Sequence, residues 1–381
     1  MIKLKDVLNE GIELQENLPP GFSANDFESM GEFTSGEESL KEEEDEKFLG
    51  ATTTDFPEPE LKQRLSKIAD KDKDLNKDKY KYPYIHRSNI IDDNGKPIEP
   101  DVLKKMIMVR PDKILKQNTK MMKSGKEVKF YDISLPAFKG LIVDESTGEF
   151  KIVNTCPGAG ACRVYCYAKK GGYVQWKAAS LSSTRVLNFL LNDWEGFKAK
   201  TLAEINQYSK NGKKKIILRW HDSGDFISPK YLQLAYDIAK ETPNVTHYAY
   251  TKMVGMVSQS NKPDNFVFNY SQGAIAPEEK LIDKKIHKNS VVVPKQVFQD
   301  LITMGEDGKW MPKSPADEAR LKEKMALKYD IPKESILTYD EMMAIPEDPN
   351  RKDKFNILVG KGNGDNAATR RDVLGTYLFL H

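Results

Sequence analysis

The sequence predicts an α/β protein built on a parallel sheet or partial (β/α) barrel, with a disordered acidic N-terminal region and a helical insertion. Two patterns carry that expectation. Short apolar stretches alternate with segments of helical periodicity, and polar residues cluster directly after each apolar stretch. Composition adds a third: 39% hydrophobic and 30% charged residues suggest unpacked segments beside a core.

In chain order, "IKLKDVLNEGI" reads as one amphipathic turn or a frayed terminus. Residues 17 to about 60 combine Pro, Gly and like charge, as in "EESLKEEEDEK", and read as disordered. "PELKQRLSKIAD" predicts a helix around 59–70 that leads into a charged linker. These residues make 1–100 an acidic extension and linker. The core starts at 101, and "VKFYDISLPAF" is its first clear strand. "KGLIVDESTGEFKIVNT" has apolar arms around a polar centre and predicts a β-hairpin. "YVQWKAASLSSTRVLNFLLNDWEGFKAKTLAEINQYSK" predicts one or two helices.

"KKIILRWHDSGDF" is then a strand ending in a polar loop, and Ser228 and Pro229 open a helix as N-cap and first-turn residues. "NVTHYAYTK", "NFVFNYSQGA" and "NSVVVP" are three more strands. Residues 303–352 interrupt the series with helices and turns and read as an insertion, so the core is divided into 101–302 and a closing segment, 353–381.

Charge is uneven along the chain. Residues 1–60 hold 17 acids and 4 bases, a balance of −13, leaving 40 acids and 55 bases, a balance of +15, in the remainder. Such a surplus suits an anionic partner such as nucleic acid or a phosphorylated metabolite, but it equally serves solubility, and charge alone does not decide. The acidic segment suits recruitment of a protein partner. No apolar run approaches the ~20 residues of a membrane span, and the first residues lack a signal peptide's apolar core. A reducing, cytoplasmic setting without membrane attachment is expected.

All three cysteines, Cys156, Cys162 and Cys166, fall in "NTCPGAGACRVYCYAKKGGY". Packing explains such clustering poorly, and a redox pair normally has two cysteines separated by two residues. Metal ligation is the reading that uses all three. Glycines between Cys156 and Cys162 let a loop fold back. Zinc would need a fourth ligand, for which His221 is the distant candidate. A 4Fe-4S cluster held by three thiolates would keep one iron open for substrate or cofactor.

Other polar groups gather at predicted strand ends: Arg219, His221, Asp222, Ser223, Gly224 and Asp225, then Thr251 and Lys252, then Ser271. Adjacent imidazole and carboxylate groups suit proton transfer or cofactor binding, while a helix-capping turn explains the same residues. "GKGNGDNAATRRD" lacks the full P-loop pattern. Its Asp365, Arg370 and Arg371 suit an anion or a loop capping the sheet.

The stretches "SLPAF", "TCPGAGACRVYCYA", "RWHDSGDF", "YAYTK" and "GDNAATRRDVLGTYLFLH" resemble the phage gene-product-88 domain family over about 130–300 and 355–381. That family is similar to radical S-adenosylmethionine iron–sulfur proteins, which carry three cysteines after the first barrel strand and an aromatic before the last, here Tyr165. The usual cysteine gaps are three and two residues, and here they are five and three.

The resemblance implies a radical-SAM-like partial barrel with Cys156, Cys162 and Cys166 on a 4Fe-4S cluster. It implies S-adenosylmethionine beside Tyr165, Arg219, Ser223, Gly224, Thr251, Ser271 and Arg370, and an electron donor as partner. His221, Asp222, Asp225 and Lys252 are the catalytic candidates for one-electron chemistry on an unidentified substrate. The alternative is a non-catalytic phage binding module stabilised by zinc or a cluster.

Overall fold

A computed structural model describes residues 44–70, 90–92, 94, 96–117, 128–166, 168, 177–293, 298–305, 310–359 and 364–379. The expected acidic turn and disorder over 1–43, the linker after residue 70, and residues 360–363 of the glycine stretch lie outside them. Before the core come β1 (Thr53–Asp55), α1 (Glu58–Asp70) and α2 (Pro100–Ile107). The hairpin region holds β2 (Lys129–Ile133), β3 (Lys139–Val143), β4 (Phe150–Asn154) and the single-turn α3 (Cys162–Tyr165). Next are α4 (Lys177–Asn192), α5 (Trp194–Tyr208), β5 (Ile216–Trp220), α6 (Pro229–Glu241) and β6 (Thr246–Thr251).

The chain continues with α7 (Val254–Ser258), β7 (Phe266–Ser271), α8 (Ala276–Glu279), β8 (Asn289–Val293), β9 (Ile302–Met304) and β10 (Trp310–Pro312). It closes with α9 (Pro315–Tyr329), β11 (Ile336–Thr338), α10 (Tyr339–Ala344), β12 (Phe355–Val359), α11 (Gly364–Thr369) and β13 (Val373–Phe379).

The expected α/β class is found. Eight strands form one sheet in the order β11-β12-β13-β8-β7-β6-β5-β2, and every neighbouring pair is parallel. From β2 to β8 the strands lie side by side in chain order. Beyond β8 the order reverses, because the chain crosses to the far edge at β11 and returns. Helices consequently cover both faces. One face packs α4, α5 and α6 through Leu187, Phe197 and Tyr236, and α9 through Leu321 and Met325. The other packs α10 and α11 through Met342 and Ala367.

Local chemistry accounts for the boundaries. The long helical stretch splits into α4 and α5 because the Asp193 side chain accepts a hydrogen bond from Gly196 N and starts a new helix. Ser228 likewise accepts from Tyr231 N at the start of α6, with Pro229 in its first turn. The expected hairpin is the antiparallel β3–β4 pair.

Two expectations are corrected. Residues 44–60 are not wholly disordered: Phe48 and Leu49 are buried in the main core, and β1 pairs with β4. Composition was dominated there by acids, but three apolar side chains including Phe56 are enough to dock the segment. Residues 303–352 are more than an insertion, because they supply β11, the edge strand of the large sheet.

Candidate functional site

A parallel sheet covered on both sides is ordinarily apolar on both. Here one face carries a row of polar residues among its apolar ones. Parallel register places Asp132 beside Arg219, Arg219 beside Tyr248, Tyr250 beside Asn269, and Ser271 beside Ser290 and then Thr376. Alternation along each strand puts all of them on the same side. The opposite side presents Leu218, Trp220, Phe266 and Phe268 to the core.

The polar side is organised near the carboxyl ends of β2, β5 and β6. Arg219 lies 3.1 Å from Asp222 and 3.4 Å from Asp365, with its guanidinium over the Tyr250 ring. The Tyr248 hydroxyl donates to Asp365 at 2.8 Å. Asp365 arrives on α11, whose Ala368 packs among Phe130, Ile217, Tyr248 and Val267. Half-buried Lys288 fastens the end of α11 by donating to the carbonyls of Ala367, Arg370 and Val373 at 2.9–3.0 Å.

Asp132 is the most perturbed carboxyl of this group. It is 3% exposed, and Ser134 Oγ donates to its Oδ2 at 2.8 Å while its Oδ1 has no hydrogen-bond partner among the described residues. Burial, then the charge of Asp222, pushes its carboxyl up to about 7. Lys116 is its antiparallel bridge partner: Lys116 N donates to Asp132 O at 2.9 Å and Asp132 N to Lys116 O at 2.8 Å. Burial lowers the pKa of the Lys116 amine against the opposing pull of Asp132, Asp222 and Glu204. Thr376 Oγ1 and Asn269 Oδ1, on the same face, also have no partner among the described residues. These unpartnered groups are spread along one face, on β2, β7 and β13.

The cysteine loop forms an apolar cluster of its own. Its three sulfur-bearing residues pack on Ala137, Phe138, Ala159 and Ala168, and Phe138 N donates to Cys156 Sγ at 3.2 Å. Burial pushes the Cys156 thiol up to about 12 and raises that of Cys162. Among the described residues, no three or more His, Cys, Asp or Glu side chains are arranged to hold a metal ion. The expected 4Fe-4S cluster on Cys156, Cys162 and Cys166 is therefore overturned, as is the metal-stabilised binding module offered as its alternative.

The glycines between the cysteines have a different use. Gly160 N and Cys162 N both donate to Gly273 O at 3.1 Å, and Ile275 N donates to Gly158 O at 2.9 Å. A Cβ on Gly158 would sit 2.6 Å from Lys252 O, and one on Gly160 would run into the Ala274 carbonyl. These glycines let the loop dock against the backbone after β6 and β7.

The remaining candidates divide. Arg219 and Asp222 belong to the polar face. His221 turns to the other side: its backbone is left-handed at φ 65°, and its ring packs with Phe226 and Tyr231, Nε2 lying 2.9 Å from the Tyr231 hydroxyl. Burial pushes its pKa down to about 3, so it stays neutral. Asp225 is a loop anchor, accepting from Thr251 Oγ1 at 2.7 Å and from Lys252 N and Phe226 N at 2.8 Å. Ser223 donates to Leu135 O, and Gly224 adopts φ 88° against the Leu135 side chain.

Ser271 ends β7 on the polar face. Arg370 is buried in a bidentate pair with Asp372 and also donates to the carbonyls of Met342 and Ile345, an arrangement that secures the turn before β13. Tyr165 is placed in α3, but its side chain lies outside the described residues. Sequence reasoning passed over Asp132, Ser134 and Lys116. The available signal was a carboxyl among the apolar residues of "KFYDI".

No helix among the described residues is long and apolar enough to cross a membrane. No curated protein and no solved structure matches the chain. A family model does match, over residues 113–342, which includes most of the segment expected to lie outside the resemblance and stops before 355–381. That match covers more than half of the sequence, and the chain belongs to the Gene product 88 family.

Proposed function

We propose that the polar face of the parallel sheet binds a small polar ligand, and that Asp132 exchanges a proton with it as general acid–base. The observation that carries this reading is a carboxyl 3% exposed, with one oxygen unpartnered among the described residues, pushed up to about 7. A group with its midpoint near neutrality both gives and takes a proton at working pH. Arg219, Asp222, Tyr248 and Asp365 supply orientation around it.

S-adenosylmethionine is the first ligand to titrate, because its ammonium and sulfonium charges suit the carboxyl surplus of Asp132, Asp222 and Asp365. A radical-SAM-like ancestry for the scaffold belongs to the same proposal. Its support is the cysteine loop that follows the first strand of the large sheet, and the side-by-side order of β2, β5, β6, β7 and β8. No step here calls on an electron donor. The acidic first 60 residues suit a protein partner, and a phage protein of this kind would work in the host cytoplasm.

The test is carboxyl-carbon NMR of the protein labelled at aspartate, with the Asp132 signal assigned by its loss in Asp132→Asn. A midpoint near 7 is expected. A midpoint in the ordinary carboxylate range would end the acid–base reading.

A further inference from the structure

We propose that Lys116 is a nucleophilic amine that forms an imine with a small uncharged aldehyde on the polar face, with Asp132 carrying the proton. The inference rests on the acid–base reading of Asp132, not on S-adenosylmethionine binding, and names the class of substrate with which that carboxyl exchanges a proton.

Three observations carry it. First, Lys116 and Asp132 are directly opposed bridge partners that exchange both backbone hydrogen bonds. Opposed residues in such a bridge project their side chains to the same side, so the amine lies on the polar face at the β2 edge. Second, the segment before Lys116 is held firmly. The buried Glu204 carboxylate accepts from Ile114 N at 3.0 Å and Leu115 N at 2.8 Å, which fixes where the lysine leaves the backbone. Third, the amine makes no ion pair with a described residue although Asp132, Asp222 and Glu204 all act on it electrostatically, and burial favours its neutral form. A lysine whose ammonium form is disfavoured by burial supplies the free amine that attacks carbonyl carbon more readily than an exposed one.

The step balances. The neutral amine adds to the aldehyde carbon and forms a carbinolamine, with the nitrogen proton passing to the alkoxide oxygen through solvent. The Asp132 carboxylic acid then protonates the departing hydroxyl, which leaves as water. The nitrogen lone pair closes the C=N bond, and loss of the last N–H proton to Asp132 restores the acid. No oxidant or reductant is needed. Carboxyls outnumber the cationic partners around Asp132, which disfavours an aldehyde bearing its own carboxylate or phosphate.

The experiment is brief exposure of the full chain at pH 7 to glycolaldehyde with cyanoborohydride, followed by peptide mass mapping. Lys116 is expected to gain the reduced adduct at least about tenfold faster than the exposed Lys105. Asp132→Asn should slow labelling of Lys116 by a similar factor and leave Lys105 unchanged. Lys116→Arg should remove the fast adduct with the fold retained by circular dichroism. Glyoxylate should label Lys116 more slowly than glycolaldehyde. Labelling of Lys116 no faster than Lys105, or insensitive to Asp132→Asn, would overturn the inference. If Asp132 titrates near 7 and Lys116 still fails to react, only this inference falls. If Asp132 titrates as an ordinary carboxylate, the acid–base reading falls first.

Discussion

Asp132→Asn gives the most direct physical test of the site, because it separates the carboxyl's charge from its shape. The folded state holds the group near 7 and its usual value is 3.8. A raised carboxylate is a burden on the fold once ionised. Its folded form binds more protons than the unfolded form between those two values, so the wild-type protein loses stability as pH rises through that window. Integrating the two titrations gives a cost of about 2 kcal/mol at pH 5 and about 4 kcal/mol at pH 8.

Asparagine keeps an oxygen to accept from Ser134 and has no ionisation to suppress. The difference in stability between variant and wild type should therefore shift by about 3 kcal/mol in the variant's favour from pH 5 to pH 8. Urea unfolding followed by tryptophan fluorescence at the two pH values measures it. A difference that stays constant between the two would refute the claim that Asp132 is held protonated by burial and by Asp222.

Gly160→Ala forces a methyl group into the Ala274 carbonyl and should cost about 1–3 kcal/mol, read as a lower melting temperature with normal secondary structure. Asp225→Ala leaves Thr251 Oγ1, Lys252 N and Phe226 N without their shared acceptor, so a loss of about 3 kcal/mol or more is expected, with faster amide exchange at residues 252–253. The Cys156 thiol, pushed up to about 12, should resist iodoacetamide at pH 8 in the native protein and react at the usual rate in urea. Rapid native alkylation of Cys156 would contradict its placement.

Much of the scaffold was legible because apolar runs such as "KKIILRW" and "NFVFNYS" are bounded by turns and caps whose chemistry is local. Ser228 and Pro229 announced α6, and the polar centre of "DESTGE" announced the β3–β4 hairpin. The strand order was not legible. Nothing local to β8 says that its neighbour is β13, since that depends on where the 303–352 connection crosses the sheet. The cysteine cluster misled for a related reason. Spacing reports which thiols are near in sequence, but the direction of each depends on the backbone contacts that Gly158 and Gly160 make with the β6 and β7 loops. Asp225 and Arg370 looked like ligand groups and proved to be internal anchors, because a charged residue near a turn has backbone donors and acceptors within reach. Asp132 was visible as an anomaly in its strand, yet only the register with Arg219 and Tyr248 gives that anomaly a meaning.

The reversal of strand order sets a timetable for assembly. As the polypeptide leaves the ribosome, β2, β5, β6, β7 and β8 can zip together in sequence, but the free border of β8 then waits until β13 has been synthesised. Throughout translation from Val293 to Val373 that border presents unsatisfied amides to any passing extended peptide. Completion of the sheet, and with it delivery of α11 and Asp365 to Arg219, is therefore a late and nearly simultaneous event. Nascent chains halted before residue 373 should be protease-sensitive and prone to self-association.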